Sequence, residues 1–185
     1  MRFRKLILVL GILAPALMSL QSAFAEVNRV DMQVDGMTCP FCVYGIEKKL
    51  KALQEVIDAE ANLKTGIVDI ELNEDESLDI ERLNEAVRES GFSPGRIKIK
   101  ATGKLTKYEW GEKQYPALRV TGSRQVFIIS PTPNHEKEEF LGEKKLSEME
   151  KATEGGKKEI TVTGYVHSHP AGVPPALSVE SFEVQ

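Results

Sequence analysis

Residues 30–53 of this 185-residue chain read VDMQVDGMTCPFCVYGIEKKLKAL and contain an abrupt change of hydrophobic period. Up to Asp35, apolar residues alternate with polar ones, which predicts a half-buried strand that ends at Gly36. From Cys42 onward the apolar residues follow the spacing of an amphipathic helix. The fold is therefore predicted to begin with a strand, a loop that contains two cysteines, and a helix.

The sequence after this helix has the periods of a small mixed domain. It predicts two strands, a second helix and a last strand, at 57–63, 68–72, 77–91 and 96–100. In the first of these strands, Ile57, Ala59, Ala61 and Leu63 are predicted to face the core. The order βαββαβ predicts an α+β fold of the ferredoxin-like type for residues 26–100.

The loop 36–42 contains both cysteines of the chain, separated by two residues. Two thiols at this spacing can converge on one atom, and the N–H groups at a helix N-terminus favour the thiolate, which is the form that binds metal. Met37 is expected to pack beneath the loop. Because the chain has no third thiol, Cys39 and Cys42 suit Cu(I) or Hg(II), which accept two ligands, better than tetrahedral Zn(II). We predict one such ion per monomer.

The strand order, the helix spacing and the GMTCPFC loop together resemble the heavy-metal-associated domain family. This family includes copper chaperones, the N-terminal domains of copper-transporting P-type ATPases and the periplasmic mercuric-ion carrier. The resemblance covers residues 28–100 and implies that Cys39 and Cys42 are the metal ligands and that Phe92 packs near the site. We predict a protein that either sequesters Hg(II) or Cu(I) or hands the ion on. In the second case the candidate partners are a membrane metal transporter and another thiol metal carrier.

Two other interpretations of the cysteine pair remain open from the sequence. One is an inert disulfide, although so short a loop orders little of the chain. The other is a thiol–disulfide oxidoreductase, because the Cys-Pro-Phe-Cys segment 39–42 also resembles the redox loop of glutaredoxin-like proteins. A thioredoxin-type core requires parallel βαβ pairing around that loop, which the predicted element order does not favour. The sequence contains no phosphate-binding loop and no nucleophile elbow, so we predict that the protein is not an enzyme.

The first 25 residues have the composition of a secretory signal peptide. Three basic residues precede an apolar run at 6–20, and small residues at Ala23 and Ala25 favour cleavage after Ala25. We expect this segment to be removed and the mature protein to be periplasmic. Loss of its three basic residues changes the formal net charge from −4 to −7, which disfavours binding to nucleic acid.

The composition changes near residue 101, and we predict a domain boundary between residues 100 and 103. The second domain, 101–185, is predicted to contain five strands with a helix between the third and fourth, at 104–110, 115–121, 124–130, 143–153, 159–167 and 177–184. This order resembles an OB-like barrel, with a β-sandwich as the alternative. His167 and His169 are two residues apart and could share a metal, but this spacing alone is weak, so we expect both to be unliganded.

Overall fold

The computed structural model describes residues 27–73, 76–130, 143–170 and 172–185. The predicted signal peptide and its cleavage site lie outside these residues. In the described ranges, no helix combines the length and apolar character that crossing a membrane requires. The elements follow in the order β1 (Val27–Asp35), α1 (Pro40–Leu50), β2 (Val56–Asn62), β3 (Ile67–Leu72), α2 (Ile80–Glu89), β4 (Ser93–Trp110), β5 (Lys113–Val120), β6 (Val126–Ile129), α3 (Glu143–Ala152), β7 (Ile160–His167) and β8 (Ala176–Val184).

The first four strands and two helices form the predicted ferredoxin-like unit. Its strands lie in the order β2-β3-β1-β4, and all neighbours are antiparallel. Met32 of β1 lies opposite Val68 of β3 and Ile97 of β4, and all three side chains are buried. Ile46 of α1 and Leu83 of α2 belong to the same core. The prediction of a βαββαβ unit is confirmed.

The strand β2 does not alternate as its sequence predicts. A register shift against β3 between Val56 and Asp58 places Val56 and Ala59 in the core, whereas Ile57 is 51% exposed. Such a bulge inserts one residue and reverses the faces of the residues around it. The predicted inward orientation of Ile57 is therefore wrong, and Leu63 lies in the exposed turn after the strand.

The two strands predicted on either side of residue 102 form one continuous strand, the 18-residue β4. Its first half pairs with β1, and from Gly103 onward it pairs with β5. Between Ile97 and Gly103 it also pairs with β7. The strand β7 therefore lies along the other edge of β4 from β1 and β5. The predicted boundary between residues 100 and 103 therefore falls inside a strand that both halves of the molecule use.

The second half of the chain closes into a five-stranded barrel. Its strands lie in the order β4-β5-β6-β8-β7, and the β7–β4 pairing returns to the first strand. Every pairing is antiparallel except that of β6 with β8. The fully buried side chains of Phe127, Met149 and Leu177 contribute to its core. This half is a sheet barrel and not the alternative sandwich.

The hydrophobic core continues across β4 from one half to the other. Ile97 and Ala101 of β4 lie opposite Val166 and Val162 of β7, and all four are buried. The buried side chains of both halves form a single cluster. The ferredoxin-like unit and the barrel are therefore packed as one body around a shared strand.

Candidate metal centre

The loop that contains the cysteines begins with a turn that only glycine adopts readily. Gly36 follows β1 with a φ of +97°, in the left-handed region. A β-carbon at this position would lie 3.5 Å from Cδ1 of Phe92. Phe92 follows α2 and packs against the core. The structure thus places Phe92 beside the loop, where the family resemblance predicted it.

Cys39 forms the N-cap of α1. Its backbone is extended, with φ −142° and ψ 154°, and its Sγ accepts a hydrogen bond from the backbone N–H of Cys42 at 3.3 Å. Pro40 occupies the first helical position, where the N–H that proline lacks is not needed. The helix thus begins two residues earlier than predicted, and Cys42 lies in its first turn. The N–H donor and the positive end of the helix dipole both favour negative charge on the Cys39 sulfur.

Cys39 and Cys42 are joined as a disulfide in the structure, with their Cα atoms 5.3 Å apart. Both residues are partly exposed. Because the two sulfurs converge on one point, the reduced pair can bind a single ion between them. Disulfide formation and metal binding are alternative states of the same two atoms, since only the reduced pair offers thiolates.

The cysteine loop rests on an apolar base and is flanked by exposed aromatic side chains. Met37 is 8% exposed and lies in the core, as predicted. Phe41 is 88% exposed and Tyr44 is 65% exposed, and residues three apart on a helix are neighbours. Tyr44 was not predicted as part of the site, and Phe41 stood out in the sequence only because family members more often have a small residue between the cysteines. Their exposure could have been predicted, because neither residue belongs to the buried apolar stripe of α1 that contains Ile46 and Leu50.

The charged face of α1 lies at the end of the helix opposite the cysteines. Lys48 and Lys49 occupy its last turn, and Lys49 forms an ion pair with Glu89 at 2.9 Å. Lys51 contacts Asp58 at 2.5 Å, and this hydrogen bond raises the pKa of Lys51 and lowers the pKa of Asp58. Acidic neighbours therefore partly neutralise this basic face, which does not contact the sulfurs.

The two histidines that the sequence suggested as possible ligands have separate protein partners. His167 Nε2 lies 3.3 Å from the hydroxyl of Ser178, and His169 Nδ1 lies 2.8 Å from the carbonyl oxygen of Pro174. Across the described ranges, no group of three or more His, Cys, Asp or Glu side chains is arranged to hold a metal. The structure does not bring the histidines together with the cysteines.

Known proteins resemble the first half of the chain. Residues 31–93 match the model of the heavy-metal-associated domain. The copper chaperone CopZ of Staphylococcus epidermidis is 36% identical over 61 residues, which cover 33% of this chain and 88% of that protein. The copper-transporting ATPase 2 of Rhizobium meliloti is 38% identical over 68 residues, which cover 37% of this chain but only 8% of the ATPase.

Solved structures match a similar share of this chain. The N-terminal domain of a potential copper-translocating P-type ATPase from Bacillus subtilis is 30% identical, with a TM-score of 0.34, and the match covers 36% of this chain and 82% of that one. The sequence match to CopZ spans most of that relative's length, and the family model covers the cysteine loop and most of the ferredoxin-like unit. The chain therefore belongs to the heavy-metal-associated domain family.

Proposed function

We propose that this protein is a metal carrier that binds one Cu(I) ion per monomer through Cys39 and Cys42. The observation that carries the proposal is the position of two convergent, partly exposed sulfurs at the N-terminus of α1. Two thiolates match the softness and low coordination number of Cu(I). Relatives named as a copper chaperone and a copper-transporting ATPase support copper as the cargo. Hg(II) has the same ligand preference and is the competing cargo.

The exposure of the sulfurs supports transfer of the ion by ligand exchange. A thiolate of the partner adds to the bound ion and gives a three-coordinate intermediate. One cysteine thiolate then leaves, and a second donor of the partner displaces the other cysteine in the same way. The ion moves to the partner without a change of oxidation state. We propose that the partner is a membrane metal transporter or another thiol carrier. Phe41, between the two cysteines, is exposed and is available to contact such a partner.

A binding role is preferred over the thiol–disulfide oxidoreductase because of the sheet around the cysteines. The strand β1, which leads into the loop, is antiparallel to both of its neighbours, β3 and β4. A thioredoxin-type core has parallel pairing at this point. We therefore propose that the disulfide is the oxidised, metal-free form of a carrier and that the protein is not an enzyme.

Two further parts of the proposal are a periplasmic location and an OB-type barrel. The signal-like composition of residues 1–25 supports a periplasmic carrier. Because that compartment favours disulfides, a bound ion would protect the cysteine pair from oxidation. We propose that the barrel is of the OB type, because the strand order closes with β6 parallel to β8 and α3 comes between β6 and β7. Neither the barrel fold nor the net charge implies nucleic acid as a partner.

Competitive titration of the reduced protein with Cu(I), Hg(II) and Zn(II) tests the proposal. We expect one equivalent of Cu(I) or Hg(II) to bind, and Zn(II) to bind far more weakly because it prefers four ligands. Cys39→Ser and Cys42→Ser should each abolish binding by the monomer. Thr38→Ala is the matched control, because Thr38 is exposed in the same loop and the change removes no sulfur.

Three outcomes would contradict the proposal. They are Zn(II) binding as tight as Cu(I), a single-serine variant that still binds Cu(I) as a monomer, and loss of binding in Thr38→Ala. Mass analysis of protein purified from the export compartment separates the carrier from its alternative. Bound metal is expected, whereas mixed disulfides with other proteins would favour the oxidoreductase.

A further inference from the structure

A cavity of about 860 Å³ lies where the ferredoxin-like unit meets the barrel. One wall contains Glu55 and residues 76–82 at the start of α2, and the other contains barrel residues of β4, β5, β6 and the β7–β8 loop. The cavity is open to solvent, and charged, polar and apolar residues line it. The cavity is formed only when both halves are present, and it is separate from the cysteine loop.

The two walls of the cavity have opposite charge. The α2 wall contains Arg82, which pairs with Glu55, and in addition the carboxylates of Glu76, Asp79 and Glu81. The barrel wall contains the guanidinium groups of Arg119 and Arg124. Among the described residues, neither arginine forms an ion pair, so no salt bridge joins the walls. The arginines therefore remain available to an anionic group that enters from solvent.

Two polar side chains in the walls are buried without a complete set of partners. Gln125 is 7% exposed, and its Oε1 accepts no hydrogen bond. Glu55 is 3% exposed, and although its Oε2 lies 3.1 Å from an Nη atom of Arg82, neither carboxylate oxygen accepts a well-formed hydrogen bond. A buried acceptor without a donor is costly and calls for an explanation. A ligand that carries N–H groups would supply the missing donors.

We propose that this cavity binds a short zwitterionic peptide. Its carboxylate lies between Arg119 and Arg124, since guanidinium groups recognise carboxylates with paired hydrogen bonds. Its ammonium group faces the acidic wall, and its backbone N–H groups approach Gln125. Apolar lining side chains, including Leu78 and Val126, contact the middle of the peptide. A purely anionic or purely cationic ligand would match only one of the two walls.

Titration of the full-length, reduced and metal-free protein with trialanine tests the proposal. Calorimetry or NMR should show saturable binding of the free tripeptide, with resonances of the cavity residues shifted. Trialanine amide lacks the carboxylate, and N-acetyl-trialanine lacks the ammonium group. Each blocked peptide should bind at least about tenfold more weakly than free trialanine, because it lacks the charged group that one of the two walls recognises. Acetate alone should not reproduce the binding of the tripeptide.

The arginines are tested by the double change Arg119→Ala and Arg124→Ala. Both side chains are exposed, so the variant should fold with an unchanged melting curve and bind free trialanine at least about tenfold more weakly. The double variant and the parent protein should bind trialanine amide equally, because this ligand lacks the carboxylate that the arginines recognise. Arg88→Ala, an exposed arginine in the last turn of α2, should bind normally.

Four results would overturn the proposal. They are the absence of saturable binding, equal affinity for free trialanine and either blocked form, equal affinity for acetate, and an equal loss in Arg88→Ala. None of these results depends on Cys39 or Cys42, so failure here leaves the proposed carrier function intact.

Discussion

The ferredoxin-like unit and the barrel differ in what each needs from the other. The ferredoxin-like unit contains all four strands of its own sheet and the complete cysteine loop. The barrel is closed only because β7 pairs with residues Ile97 to Gly103 of β4, most of which precede the predicted domain boundary. Dependence between the two halves is therefore unequal, since the barrel uses a strand that begins in the other unit.

The largest expected effect follows from cutting the chain at the predicted boundary. The fragment 26–100 should fold and bind Cu(I) within about 1 kcal/mol of the full chain, because it keeps every element of the metal unit. The fragment 101–185 should not fold, because β7 keeps only three of its seven paired residues on β4. Circular dichroism and proton NMR of both fragments give the measurement.

The matched control for the barrel is a fragment that begins at Ser93. It restores all of β4 and should recover a folded spectrum. A folded 101–185 fragment would show that the barrel does not need the first half of β4. An unfolded 26–100 fragment would show instead that the metal unit depends on β7 to cover its edge.

A change in the barrel core should separate the unfolding of the two halves. Phe127 of β6 is fully buried, and Phe127→Ala should cost the barrel about 3–5 kcal/mol. Because the metal unit is expected to fold alone, fluorescence of the barrel residue Trp110 should report unfolding at a lower urea concentration than a probe in the metal unit does. Leu83→Ala in α2 is the counterpart in the other half, and both probes should then report one transition, because the barrel needs β4 of the metal unit. A single transition in Phe127→Ala would show instead that the metal unit depends on the barrel.

A smaller effect is expected at the point where β4 changes its partner from β1 to β5. A β-carbon on Gly103 would collide with the backbone carbonyl of Arg119. Gly103→Ala should therefore cost about 1–3 kcal/mol in urea unfolding, as overpacked sites do. Gly45→Ala is the control, because no atom lies near a β-carbon there and alanine favours the helix by about 1 kcal/mol. Equal effects in the two variants would argue against a close approach at Gly103.

The first half of the fold was predictable because its signals are local. The periods around residues 30–53 change at the cysteine loop, and each predicted element of βαββαβ is present. The bulge in β2 was not predictable, because the outward position of Ile57 depends on its register against β3. The change of composition near residue 101 suggested a break between domains, but Gly103 lies in a strand interior where two backbones approach closely.

The candidate metal centre was predictable to the same extent. Cys39 and Cys42 are close in sequence, and a helix start places them together whatever the rest of the chain does. The junction cavity gave no such signal. Its arginines and carboxylates come from segments far apart in the chain, and each segment alone has the composition of a solvated surface. Only the tertiary fold brings them together.

The smallest expected effect concerns an ion pair that links the two halves across β7. Lys98 of β4 contacts Glu180 of β8 at 2.5 Å, and both side chains are partly exposed. Hydrogen bonding to Glu180 raises the pKa of Lys98 above its usual 10.5, although desolvation acts in the opposite direction. A group whose pKa is raised on folding stabilises the fold below its unfolded pKa, and this contribution is lost as the pH rises through the folded pKa.

Lys98→Met should therefore cost less than about 1 kcal/mol at pH 7, as expected for an exposed pair. The difference from the parent should start to shrink above about pH 10.5 and disappear as the pH rises through the raised pKa of the folded protein. Both measurements belong in a Tyr165→Phe background, because the Tyr165 ring lies 5.5 Å from Lys98 Nζ and the Tyr165 hydroxyl also contributes to the raised pKa of Lys98. Lys100→Met, on the same face of β4, is the control and should change little at either pH. A cost for Lys98→Met that stays constant across this pH range would show that its alkyl chain, and not its charge, links the two halves.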